Sequence, residues 1–249
     1  MLKDTHITVL VPAYNEATHL HATVHSIPSF VDQILIIDDG STDHTAEVAR
    51  TLCGPRIHVL RHTRNQGVGA AIKTGYRHAF QHHTDVAVVM AGDGQMHPDD
   101  LHTLLLPILS DQADYAKGNR LAHTSYHRMP VLRRWGSWLF SHLTHWATGL
   151  RVQDSQCGYT ALSKAAYAKL PLDQLWPGYG YVNDLLALCA HQDLRVLDVT
   201  VRPIYGTEQS GLRFYHALFV LPFVLMRSVI RRALTNLPIL TKPRLPEPF

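Results

Sequence analysis

Short apolar runs alternate with helix-like stretches through the first 118 residues, and this alternation constrains the fold more than any other feature of the chain. Ile7 to Val11, Ile34 to Ile37, Ile57 to Leu60, Val86 to Met90 and Asp114 to Lys117 read as strands, with helices expected near 17–26, 43–52, 68–82 and 98–110. Such an order predicts an α/β fold, a mostly parallel central sheet with helices on both faces. A chain of 249 residues is long enough to bury one substantial core of that kind.

A parallel sheet exposes the carboxyl ends of its strands as a ligand crevice. Three of those ends are polar here. Pro12-Ala13-Tyr14-Asn15-Glu16 follows the first strand, Asp38-Asp39-Gly40-Ser41 the second and Ala91-Gly92-Asp93-Gly94-Gln95 the fourth. Paired carboxylates followed by a glycine and a hydroxyl can receive a sugar hydroxyl, a base edge or a metal; the competing reading is a turn with Ser41 or Thr42 as a helix N-cap. Asn65 to Gly75 has the same two readings. Gly67-Val68-Gly69 opening a helix brings N–H groups and a dipole toward a phosphate, with Lys73 one turn in, or it is a tight loop that allows close helix packing. Pro98-Asp99-Asp100 reads as a helix start whose acids face the positive dipole end, a structural role.

Composition narrows the partners. Against 20 Asp plus Glu stand only 23 Lys plus Arg, with no long basic run before the carboxyl end, which argues against nucleic acid. The 18 His are scattered with no Cys/His set at zinc-finger spacing, and the 3 Cys (Cys53, Cys157, Cys189) lie far apart, as in a reduced cytosolic chain. Met1-Leu2-Lys3-Asp4 has no apolar signal core, so export is not indicated.

Four motifs in order, Val11 to Glu16, Asp38 to Asp43, Asn65 to Ala71 and Gly92 to Gln95, carry a specific resemblance. The chain resembles glycosyltransferase family 2, an inverting family with the GT-A fold, over roughly residues 5 to 215. Asp154-Ser155-Gln156-Cys157-Gly158-Tyr159 and Gly178 to Asp184 extend the similarity to the polyprenyl-phosphate sugar transferases of the dolichyl-phosphate mannose synthase group. The resemblance implies a nucleotide-diphosphate sugar donor, with Pro12, Tyr14, Glu16 and Asp39 at the base and ribose. It implies Lys73, Gln95, Gln156, Arg202 and Ser210 as further donor-side groups, and Asp154 and Asp184 as the catalytic acids. Asp93 would bind Mg²⁺ or Mn²⁺. The family usually has two acids separated by one residue there, and Ala91-Gly92-Asp93 keeps only the second. Such a cation needs one or two protein carboxylates beside substrate phosphates, so a nucleotide-dependent ion site is expected.

The remaining segments set the acceptor. A phosphate acceptor is already an anion at neutral pH and requires orientation rather than a base. Met129 to Phe140 mixes paired arginines with Trp, Phe and Leu, which fits either a lipid interface or an amphipathic helix packed on the sheet; the resemblance favours membrane contact. Ala217 to Met226 is almost wholly apolar and is followed by Arg227, Arg231 and Arg232, yet falls short of the roughly 20 residues of a spanning helix. The expectation is a GT-A domain over 1–212, a membrane-surface or subunit-pairing helical segment over 213–240, and a flexible tail over 241–249. The protein would lie at the cytoplasmic membrane face and move a sugar to a polyprenyl phosphate. Two alternatives are a membrane-peripheral sugar-nucleotide binder without turnover, or a transferase acting on a non-lipid glycan.

Overall fold

The computed structural model describes residues 5–204 and 220–236. Seven strands, β1 (Ile7–Ala13), β2 (Gln33–Asp38), β3 (Ile57–Arg61), β4 (Val86–Val89), β5 (Tyr115–Asn119), β6 (Thr160–Ser163) and β7 (Val196–Thr200), form one sheet in the order β3-β2-β1-β4-β6-β5-β7. All neighbours are parallel except β6, which runs antiparallel to both β4 and β5. The helices are α1 (Leu20–Ser26), α2 (Thr45–Leu52), α3 (Val68–Gln81), α4 (Asp100–Leu109), α5 (Val131–Thr148), α6 (Lys164–Lys169), α7 (Tyr181–His191) and α8 (Leu221–Asn236).

Strand side chains alternate between two cores because successive residues face opposite sides of a sheet. Ile7, Val9, Val11, Ile34 and Ile36 join Leu20 and Val24 of α1, Ala49 and Leu52 of α2, and Leu101 and Leu104 of α4. Leu10, Leu35 and Ile37 join Ile72 and Tyr76 of α3 and Leu185 and Leu186 of α7 on the other face. Both faces of β1 are therefore dry, which is why its sequence is an unbroken apolar run.

Gly149, at φ 81°, ends α5 in the left-handed conformation, and the next strand is β6. One local reading needs correction. Ser41 and Thr42 do not cap α2. Ser41 Oγ accepts from Asn15 N–H at 3.0 Å and Thr42 N–H donates to Asn15 Oδ1 at 2.9 Å, so they tie the β2 loop to the β1 loop. Asp184 falls in the first turn of α7, which begins at Tyr181, and is buried there.

Glycine is required where backbones meet. A Cβ on Gly69 would stand 2.1 Å from the Trp176 carbonyl oxygen, and Gly40 combines φ +71° with a 2.4 Å approach to the Arg64 backbone. Gly69→Ala must push α3 away from the 176–178 segment. We expect it to lose about 1–3 kcal/mol, the usual cost of overpacking, and roughly 2–4 °C of Tm per kcal/mol. Unchanged thermal unfolding would show that this contact gives way freely.

Candidate active site

The sheet grows in opposite directions from β1, toward β2 on one side and β4 on the other. Loops leaving the carboxyl ends of β1 and β4 consequently part, and a crevice opens between them. Glu16 lies in the first loop and Asp93 in the second. Burial first, then the charges of Asp93 and Asp43, push the Glu16 carboxyl up to about 7, so these acids share one electrostatic environment. Asp93 Oδ1 accepts from the Gln95 N–H at 3.0 Å, with Gly94 in the left-handed region making the turn. Pro12 is buried in β1 and its carbonyl accepts from Gly92 N–H at 3.1 Å, while Tyr14 is exposed at the strand's end.

Asp39 organises the next wall. Its Oδ1 accepts from Gln66 N–H at 2.9 Å and from His62 Nδ1 at 2.7 Å, and its Oδ2 from Gly67 N–H at 2.8 Å. His62 Nε2 reaches Thr74 Oγ1 at 3.0 Å, so one imidazole joins the loop to α3. The carboxylate thus shapes the 62–67 loop from beneath, and Oδ2, with one of these bonds, keeps acceptor capacity toward a ligand. Ala70 N–H donates to the Pro177 carbonyl at 2.9 Å, which brings the start of α3 against the segment leading into α7. Lys73 is half-buried on α3.

The third wall is the 154–158 loop. Asp154 is fully buried and takes a bidentate fork from Arg120, at 2.7 and 3.0 Å, plus the Arg120 N–H at 3.1 Å. Burial alone would raise this carboxyl; the Arg120 charge and hydrogen bonds, with the Lys117 charge, hold it below the ordinary carboxylate range. Lys117, also fully buried, donates to the carbonyls of Asp154 and of Cys157. Gln156 Nε2 donates to Asn183 Oδ1 at 3.0 Å, and Asn183 Nδ2 to Thr144 Oγ1 at 2.7 Å, so the loop is pinned to α7 and α5 at once.

Asp184 lies in the first turn of α7, fully buried. Its Oδ2 accepts from Trp176 N–H at 2.8 Å, and its Oδ1 lies 2.9 Å from Arg231, with Arg227 at 3.5 Å from Oδ2. Asp39 and Asp184 are tied to neighbouring segments, since Asp39 holds the Gly67 N–H, Gly67 lies against Pro177, and Asp184 holds the Trp176 N–H. Two expectations sit differently. Arg202, expected as a donor-side group, forks onto Asp100 at 3.0 Å and Asp99 at 3.1 Å, its backbone N–H also bonding Asp100, so those three residues clamp the start of α4 to the end of β7. Arg231 and Arg227, which follow the apolar run of the expected membrane-surface segment, turn inward to Asp184. Ser210 lies outside the described residues. Sequence reasoning missed His62 and Lys117 as site-shaping groups, and no local pattern signals them, because their partners lie 12 to 40 residues away.

Among the described residues no cluster of three or more His, Cys, Asp or Glu is arranged to hold a metal. Asp93 nevertheless fits a cation completed by phosphate oxygens, because the negative field it shares with Glu16 is what such an ion would neutralise. The raised Glu16 pKa has a consequence for stability. Between about pH 4.5 and 7 the native state retains a proton that the unfolded chain releases. Stability from this group is complete below 4.5 and is lost as pH rises through 7. In denaturant titrations across that window, Glu16→Gln should flatten the decline; an identical pH slope in both proteins would remove Glu16 as its source.

Comparison with known proteins bears on the family and the fold. Residues 8–170 match the family described as Glycosyl transferase family 2. A UDP-N-acetylglucosamine–dolichyl-phosphate N-acetylglucosaminyltransferase of Methanococcus voltae is 30% identical over 228 residues, covering 85% of this chain and 90% of the relative. An undecaprenyl-phosphate mannosyltransferase of Micrococcus luteus is 29% identical over 215 residues, covering 82% and 88%. Among solved structures, glucosyl-3-phosphoglycerate synthase from Mycobacterium tuberculosis, in complex with Mn²⁺, UDP-glucose and phosphoglyceric acid, superimposes with a TM-score of 0.67 at 20% identity, covering 91% of this chain and 80% of that one. Mannosyl-3-phosphoglycerate synthase from Rubrobacter xylanophilus gives 0.68 at 17% identity, covering 97% and 79%, and both likenesses speak to the fold. The α/β architecture, the ordered motifs and these matches together establish that the chain belongs to glycosyltransferase family 2.

Proposed function

We propose that this glycosyltransferase moves a sugar from a nucleotide-diphosphate donor to a polyprenyl phosphate while lying on the cytoplasmic face of a membrane. The observation that carries the lipid acceptor is the inverted polarity of α5. Its buried side is Ser137, Ser141, Thr144 and Ala147, small and mostly polar. Its exposed side is Leu132 (83% exposed), Trp135 (65%), Trp138, Leu139, Leu143 and Trp146 (71%). A water-facing helix has the opposite arrangement. Three tryptophans among leucines suit the headgroup boundary, where an aromatic ring has one apolar and one wet side. Helix α8 packs against α5 and adds exposed Phe223, Met226 and Ile230. No described helix is long and apolar enough to cross a membrane. The proposed domain plan keeps the transferase domain to residue 212, with α8 inside a surface-binding segment over 213–240.

In this reading the nucleoside sits by Pro12, Tyr14, Glu16 and Asp39, and Lys73 and Gln95 lie toward the diphosphate. Mg²⁺ or Mn²⁺ at Asp93 would neutralise diphosphate charge. The acceptor phosphate attacks the anomeric carbon; its new C–O bond forms as the bond to the nucleotide diphosphate breaks, with inversion. Asp154 acts through its fork with Arg120, Gln156 through the loop it anchors, and Asp184 sets the field beside the reacting centre. Arg202 contributes by holding α4 and β7 together around this edge.

Asp184→Asn should abolish transfer while sparing donor binding; equal loss of both would remove it from the chemical step. In a thermal-shift panel of UDP, GDP, CDP and dTDP sugars with Mn²⁺, one nucleotide class should stabilise by about 2.7 kcal/mol at 100-fold excess over its Kd. No response to any of them would overturn the donor assignment, and binding without product would favour a non-catalytic sugar-nucleotide binder. Trp135→Ser with Trp138→Ser and Trp146→Ser should weaken vesicle co-sedimentation on the order of 100-fold, from 1.5–3 kcal/mol per fully buried large side chain, discounted for partial insertion. Undiminished vesicle binding would reassign that face to another partner, a second copy of the chain included.

A further inference from the structure

Asp184 is closed off from water, with 0% exposure, yet its partners come from outside its own helix. Trp176 supplies one backbone N–H, and α8 supplies Arg231 at 2.9 Å and Arg227 at 3.5 Å. The arginines are four residues apart, hence stacked on one face of α8. Both also donate to the Gln174 carbonyl, at 2.7 Å from Arg227 and 3.2 Å from Arg231. A single pair of guanidinium groups therefore grips the acid and the segment running from Gln174 to Pro177, which in turn lies against Gly67 and Gly69 at the start of α3. The neighbouring face of the same helix exposes Phe223, Met226 and Ile230.

We propose that Arg231, with Arg227 in support, is a positioning residue that keeps Asp184 ionised and aimed, so that the transferase site is complete only while α8 lies against α7. The inference rests on the role given to Asp184 under the proposed function. It makes α8 a strap joining the membrane-facing surface to the reacting centre. A carboxylate removed from water stays charged only if cations or N–H groups replace the lost hydration. The charged groups acting on Asp184 among the described residues are the two arginines; α5 presents Thr144 to α7 and α3 meets the adjoining segment through Gly69. Burial already raises the Asp184 carboxyl above its ordinary range, while Arg231, the Trp176 N–H and Arg227 oppose the rise. Loss of Arg231 would therefore raise it further.

The test uses the full chain, a nucleotide sugar chosen from the thermal-shift panel and a short-chain polyprenyl phosphate in detergent. For Arg231→Met we expect kcat to fall on the order of 100-fold, the cost of misplacing a reacting group by about 1 Å. Donor KM should hold, and the acidic limb of the kcat profile should move to higher pH. Arg231→Lys, which keeps the charge, should restore most of the rate and folds without an uncompensated buried acid. Adding Arg231→Met to Asp184→Asn should give a protein that melts above Arg231→Met alone, because the unpaired charge is gone. An unshifted pH profile in Arg231→Met, or a double variant that melts no higher than Arg231→Met, would overturn the proposal. Full transfer by Asp184→Asn would instead overturn the role of Asp184 itself, so the two failures are distinguishable.

Discussion

The divergence of the chain around β1 is the constraint on which the rest depends. β2 and β4 pair with opposite edges of the same strand, so the loops leaving β1 and β4 cannot close over one another. The crevice between them is a result of topology, and the acids in it are tolerated because the strand ends are where water or ligand can reach. Glu16, raised first by burial, also feels the Asp93 charge there, although 77 residues separate the two. Asn15, Ser41, Thr42, Asp43 and Thr45 lock the β1 and β2 loops together beside it.

Around that crevice the structure spends its polar side chains on one another. Asp39, Asp154 and Asp184 are each buried, and each is met by donors from a different part of the chain: His62 with two loop N–H groups, the Arg120 fork, and the α8 arginines. Leaving such a charge unpaired costs roughly 3–5 kcal/mol, so each pairing fixes the position of two segments at once. Lys117 does the same with backbone carbonyls instead of acids. The result is a set of loops pinned at several points by buried pairs, and such positioning is what aligning a donor sugar with an attacking oxygen requires.

The opposite principle governs α5. Its inner face gives up apolar packing for hydroxyls that bond the 154–158 loop and α7, as Ser141 does with Ser155 and Thr144 with Asn183. Its apolar side chains face outward. A contiguous exposed apolar face is the kind of surface that marks an interaction site, and α8, which holds the buried acid, packs beside it.

Much of this was legible along the chain. Period-two and unbroken apolar runs identify β1 to β5, because burial on two faces leaves a signature in adjacent residues, and the ordered acidic strand ends identify the family and the walls of the site. The antiparallel β6 was not legible, since four residues between loops carry too little pattern to separate strand from turn. Nor were the partners of the carboxylates. Asp39, Asp154, Asp184 and Arg202 were recognisable as polar groups in the right motifs, but whether each faces a ligand or another side chain depends on segments 23 to 103 residues distant. The sequence by itself determined the fold class and the family, because those follow from local periodicity and short motifs. Only the tertiary structure decided which face of α5 is buried and which charges neutralise which, because charge pairing is a property of proximity in space and leaves no periodic trace in the chain.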